Sequence, residues 1–232
     1  MTLNPDSYNA ASTAIHIAQG GALLVLGFTE AYAGLERGKR IKLFSPAALL
    51  LAGIAMAAFI LYFLGGWSFE NALGAMKMKN GFFIFVSFAC FYAAAGLSQL
   101  TFIASEEKGR GWFNLFLLFL AVIAVLYFGV AGRVGPAASS EVGRFHSGLG
   151  ITLLVAVTLK LMHGFSGRRK FHLGWAVLLM LVSVQLLSYR EVKGAFDLNI
   201  VSLQADTKPV TPAVPVKIDK NAKNSPSKRA GN

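Results

Sequence analysis

Six apolar blocks, each close to the length that carries a helix across a bilayer, constrain this chain more than any motif in it. They cover about 12–34, 44–65, 81–104, 112–131, 145–165 and 171–189. A helix needs about 20 residues to cross about 30 Å of hydrocarbon. Backbone N–H and C=O groups find no water in that layer, so each block must satisfy its own, and an α-helix does. Charged residues are 14% of the chain and hydrophobic ones 55%, against about a quarter charged in soluble domains. The fold class that follows is all-α: a polytopic membrane bundle of six transmembrane helices over residues 1–190, with residues 191–232 as an extended or disordered basic tail rich in Pro and Lys. Ser45-Pro46 suits the start of the second helix, since proline is tolerated in a first turn.

The formal charge of +11 does not point to nucleic acid, because it sits in the short loops and the tail. Loops 35–43, 105–111 and 166–171 carry nine Lys or Arg, and the two remaining loops carry four. The positive-inside rule puts the first set in the cytoplasm and both termini outside. Eight further Lys or Arg after Tyr189 oppose this orientation, but distant charges count weakly. The expected setting is the bacterial inner membrane, with the lipid bilayer as first partner. Residues 1–11 hold Asp6 and no Lys or Arg, so the first span is expected to act as its own insertion signal. From 205 onward the tail has almost no large apolar side chain and cannot offset its ordering entropy. It reads as a solubilising end or as a strap over an acidic partner. Cys90 is the one cysteine, so no intrachain disulfide forms, and no Cys-x-x-Cys-His haem attachment pattern occurs.

Ionisable side chains within spans are functional candidates. His16 and His146 each stand within about a turn of the expected start of a span, on the first and fifth. That is the arrangement a bis-histidine haem requires. Gly20 and Gly21, and Gly148 and Gly150, could give a macrocycle room near the backbone. The alternative is two interfacial histidines. Glu30 follows His16 by 14 residues and Lys160 follows His146 by 14, close to four turns, so each pair shares a helix face. Either Glu30 and Lys160 meet near the inner face, or Lys160 snorkels to headgroups and Glu30 meets loop lysines. His163 and His172 flank the basic loop 166–171. They read as headgroup-facing, as a quinone site, or as ligands of a second haem. The second through fourth spans hold no histidine. Gln19, Gln99 and Gln185 read as interhelical hydrogen bonders. Trp67, Trp112 and Trp175 read as interfacial anchors. A chlorophyll-type macrocycle stays open beside haem, since histidine also ligates magnesium.

Phe145-His-Ser-Gly-Leu-Gly-Ile151, Lys160-Leu-Met-His-Gly-Phe165 and Phe171-His-Leu-Gly-Trp175 resemble the cytochrome b561 and ferric-reductase-like transmembrane family, as does the first span with His16 and Leu26-Gly27-Phe28. The resemblance covers about 80 residues in two pieces. It implies haem b held by His16 and His146. It also implies a second haem on the last histidine, His172, with a partner on an intervening helix that this chain lacks. The function expected is an electron-transfer subunit working between a quinone pool and a redox partner, such as an extracytoplasmic cytochrome, within a larger membrane complex. A non-redox structural subunit is the alternative, and a small transporter with Glu30 and Lys160 as coupling groups is a third. No catalytic residue is assigned.

Overall fold

The structure, a computed structural model, describes residues 5–33, 39–78 and 80–196. The remainder of the tail, 197–232, on which the expected strap falls, lies outside the described residues. Among the described residues there are seven α-helices and no strand. They are α1 (Pro5–Ala33), α2 (Phe44–Gly65), α3 (Phe69–Met78), α4 (Phe83–Ala104), α5 (Arg110–Gly129), α6 (Pro136–Ser166) and α7 (Arg169–Ser188). All but α3 are long and apolar enough to cross a membrane.

The six long helices close a ring: α1 packs on α2, α2 on α4, α4 on α5, α5 on α6, α6 on α7, and α7 on α1. Ile15, Leu23, Met56, Phe88, Leu120, Leu153 and Leu179 are fully buried inside it. Ile17, Phe28, Leu51, Ile54, Leu97, Ile151 and Val177 are exposed on its outside. A helix that is apolar all round is what lipid on one side and a packed interior on the other demand.

α2 and α4 touch most closely where glycines remove the side chain. A Cβ on Gly53 would stand 2.6 Å from Ala89 O, and one on Gly96 would stand 2.7 Å from Pro46 O. Small residues let helix backbones approach in this way. Gly167, at φ +64°, ends α6 in the left-handed region and turns the chain straight into α7. Such a position favours glycine.

Three features differ from the sequence expectation. α1 and α6 begin about two turns earlier than their apolar blocks, because Tyr8, Ala11, Ala138 and Val142 are buried and extend the packing. His16 and His146 therefore lie about three turns inside their helices. α3 is an addition: a ten-residue helix whose Ala72, Ala75 and Met76 pack inward while Phe69 is exposed. Trp175 is fully buried, unlike the exposed Trp67 and Trp112. It faces α1 nearly two turns into α7, where its Nε1 donates to Glu30, so it is not an interfacial anchor.

Candidate functional site

His16 on α1 and His146 on α6 meet inside the ring, their Nε2 atoms 3.1 Å apart. Both are buried, at 2% and 0% exposure. Each Nδ1–H donates to the carbonyl one turn back, His16 to Ser12 O at 2.7 Å and His146 to Val142 O at 2.8 Å. A carbonyl only accepts, so both Nδ1 atoms carry hydrogen and each neutral ring turns a bare Nε2 lone pair toward the other. Two lone pairs at that distance repel. The arrangement closes with one shared proton or one electron-pair acceptor between them. Donation from Nδ1 to a backbone carbonyl is also the usual way a metal-ligating histidine is oriented.

Aromatic rings pack round the pair. Tyr189 lies against both imidazoles, at centroid distances of 4.7 Å from His16 and 4.9 Å from His146. Phe145 is 5.5 Å from His146, and Phe85 is 6.2 Å from His16. Beside them is an ion pair that the sequence did not mark. Arg133, in the turn Val130–Arg133 that follows α5, pairs with Glu191 through Nη2 and Oε1 at 2.5 Å; the two side chains are 0% and 3% exposed. Arg133 Nη1 donates to Ser12 Oγ at 3.1 Å, Ser12 Oγ donates to the Glu191 carboxylate, and Tyr189 donates to Glu191 Oε2 at 3.0 Å. Burial, and after it the Glu191 carboxylate, push the Tyr189 phenol above its ordinary range, so it keeps the proton it donates. Residues 191–196, assigned to the tail by sequence, pack back here: Gly135 N donates to Ala195 O at 2.9 Å, and Phe196 is buried. Arg133 reads in sequence as a loop charge. The available signal is scarcity, since the chain has eleven acidic residues and any one beside a span is a candidate partner for a buried cation.

Two of the glycines named with the histidines seat helices against their neighbours. A Cβ on Gly20 would meet Leu187 Cγ at 2.8 Å, so this glycine seats α1 against α7. Gly150 seats α6 on Ala124 O and Phe128 of α5. Gly148 is exposed, and a Cβ on it or on the half-buried Gly21 would meet nothing within 4 Å.

At the other end of the ring, Glu30 and Lys160 form the expected ion pair, at 15% and 10% side-chain exposure. Trp175 Nε1 donates to Glu30 Oε2 at 3.2 Å, and His172 Nε2 donates to Glu30 O at 2.9 Å. His172 Nδ1 lies 3.4 Å from Lys160 Nζ. His163 is a neighbour, ring centroids 5.0 Å apart, with its Nδ1 bonded to Arg168 O at 3.2 Å. Both nitrogens of His172 are thus engaged, so His172 has no free lone pair to offer a metal. Between the two ends, Tyr127 donates to Gln19 Oε1 at 3.3 Å and Ser183 donates to Gly20 O at 2.7 Å.

The donor set suits axial ligation of iron: two oriented, water-excluded imidazoles with converging lone pairs. Metal–imidazole bonds of about 2.0–2.1 Å would hold two opposed nitrogens about 4 Å apart, so the helices must part by about 1 Å. A tetrapyrrole also needs Tyr189 and the segment after it to move from beside the rings. Among the described residues no cluster of three or more His, Cys, Asp or Glu is arranged to hold a bare metal ion.

Comparison with family models, curated proteins and solved structures finds no match to this chain. What the fold itself defines is a multi-pass helical membrane protein with six spans. Its particular feature is a pair of buried imidazoles meeting at one end and an ion pair at the other.

Proposed function

We propose that this chain is a membrane-embedded haem b electron-transfer subunit of the bacterial cytoplasmic membrane. His16 and His146 would hold the haem iron. Electrons pass between a quinone pool and a redox partner within a larger complex. The observation that supports this most is the convergence of two Nε2 lone pairs, each fixed by an Nδ1–H bond to its own helix. Haem iron, when bound, supplies one-electron exchange. The chain's residues supply the rest. α1 and α6 hold the two rings, Phe85 and Phe145 help to exclude water, and the buried Arg133–Glu191 ion pair lies beside the site. The long basic tail is a candidate contact for an acidic partner subunit.

A second reading rests on the same geometry. Without iron, the facing imidazoles hold one shared proton, and the Glu30–Lys160 pair is a second buried charge site. That combination suits a small proton-coupled transporter.

The experiment is a reduced-minus-oxidised absorption spectrum of the purified protein. The haem reading expects a b-type band that survives His163→Ala and His172→Ala and disappears in His16→Ala and in His146→Ala. A band retained in both His16→Ala and His146→Ala would remove the ligand assignment. Absence of any band in wild type, purified from haem-supplemented cells, would favour the proton-site reading.

A further inference from the structure

The cavity at the Glu30–Lys160 end is unused by the histidine pair. It has a volume of about 350 Å³, within the range of small-molecule sites of about 300–1,000 Å³. All six spans wall it: Thr29 from α1, Ser45 from α2, Gln99 from α4, Phe113 from α5, Lys160 from α6 and His172 from α7. A second space of about 670 Å³ lies beside it, bordered by the apolar side chains of Phe28, Tyr32, Ile41 and Leu173. Thr29, Arg169 and His172 border both. Phe28 and Leu173 are 59% and 55% exposed on the outer surface of the ring, where acyl chains lie. A polar chamber and an apolar groove that share one wall fit a molecule with a polar head and an apolar chain, entering from the bilayer.

Gln99 selects the head. It is 6% exposed, it borders the chamber, and its Oε1 has no hydrogen-bond partner. An orphaned buried acceptor is destabilising until a donor fills it. The terminal torsion of glutamine is broad, so a small turn of the amide presents that oxygen to an occupant. An occupant that carries a donor would satisfy it. The phosphodiester group itself has none, whereas a hydroquinone has two hydroxyls on a flat ring. The rest of the polar wall includes Lys42, paired with Glu107, and Arg169. The Lys160 ammonium and Glu30 carboxylate, paired to each other, offer a donor and an acceptor to the second hydroxyl. The ring of Phe113, 6.0 Å from Lys160 Nζ, gives the aromatic head an apolar face to lie on.

We propose that this chamber binds the headgroup of a quinol, with its chain in the groove formed by Phe28, Tyr32, Ile41 and Leu173. The inference deepens the quinone part of the proposed function, but it does not depend on haem, so failure of quinol binding and failure of haem binding are read separately.

The test is calorimetric titration of the full chain, in nanodiscs of zwitterionic lipid under argon, with a short-chain ubiquinol. One saturable site is expected. The analogue with both hydroxyls methylated is expected to bind at least tenfold more weakly, because it cannot fill an acceptor. Gln99→Leu is expected to weaken ubiquinol at least tenfold while leaving the ligand-free melting temperature unchanged or higher, since it removes an unsatisfied buried group. Three results would overturn the assignment: no saturable heat, equal affinity for the methylated analogue, or undiminished binding by a folded Gln99→Leu protein. Displacement of ubiquinol by an equal concentration of phosphatidylglycerol would overturn it too, in favour of a lipid headgroup.

Discussion

Arg133 and Glu191 show most clearly how single residues fix this site. A buried guanidinium without its partner is an uncompensated charge, and losing one member of such a pair costs about 3–5 kcal/mol. Glu191→Ala is therefore expected to destabilise the detergent-solubilised protein by that amount in thermal denaturation. Arg133→Met combined with Glu191→Leu is expected to recover most of the loss, because neither charge remains. Equal stability of Glu191→Ala and wild type would show that the ion pair is exposed in the membrane. The histidines themselves were legible, since imidazoles are rare in apolar spans and these two fall at matching depth. Arg133, Ser12, Tyr189 and Glu191 were not. Nothing in the local sequence distinguishes a buried arginine after a span from a loop charge, and the contact joins residues 12, 133 and 191, distant along the chain.

Helices of this bundle approach most closely where a glycine removes the side chain. Gly53 faces Ala89 O and Ala93 N, both backbone atoms that cannot rotate away, whereas Gly148 meets nothing. Gly53→Ala is expected to push α2 from α4 and to cost about 1–3 kcal/mol, the usual range for overpacking. Gly148→Ala is expected to be neutral or slightly stabilising, since alanine is the better helix former by about 1 kcal/mol. Melting temperatures in one detergent compare them, and a loss in Gly148→Ala equal to that in Gly53→Ala would contradict this packing. The six spans were legible because lipid forces each block to be helical. The early starts of α1 and α6 were not, because tertiary burial of Tyr8, Ala11, Ala138 and Val142 extends a helix past the end of its apolar pattern. α3 was hidden for the opposite reason: it is too short and too polar on one face to stand out.

At the scale of the whole molecule, the ring of helices keeps two buried polar clusters at opposite ends and packs aliphatic and aromatic side chains between them. His16 with His146 closes one end and Glu30 with Lys160 the other, each pair joining α1 to α6 across the interior. That arrangement follows from the equal fourteen-residue offsets on the two helices, a relation visible in the sequence before any fold. It is also why one haem is proposed and not two: the second pair of positions holds an ion pair where a stacked second site would need imidazoles, and the nitrogens of His172 are taken up by Glu30 and Lys160.

The most direct test is the haem content of the purified wild-type chain, measured as the pyridine haemochrome per mole of protein. One haem b per chain, falling to none in His16→Ala at unchanged protein yield, is the predicted result. Two haems per chain would contradict the account, as would one haem that persists when His16 is gone.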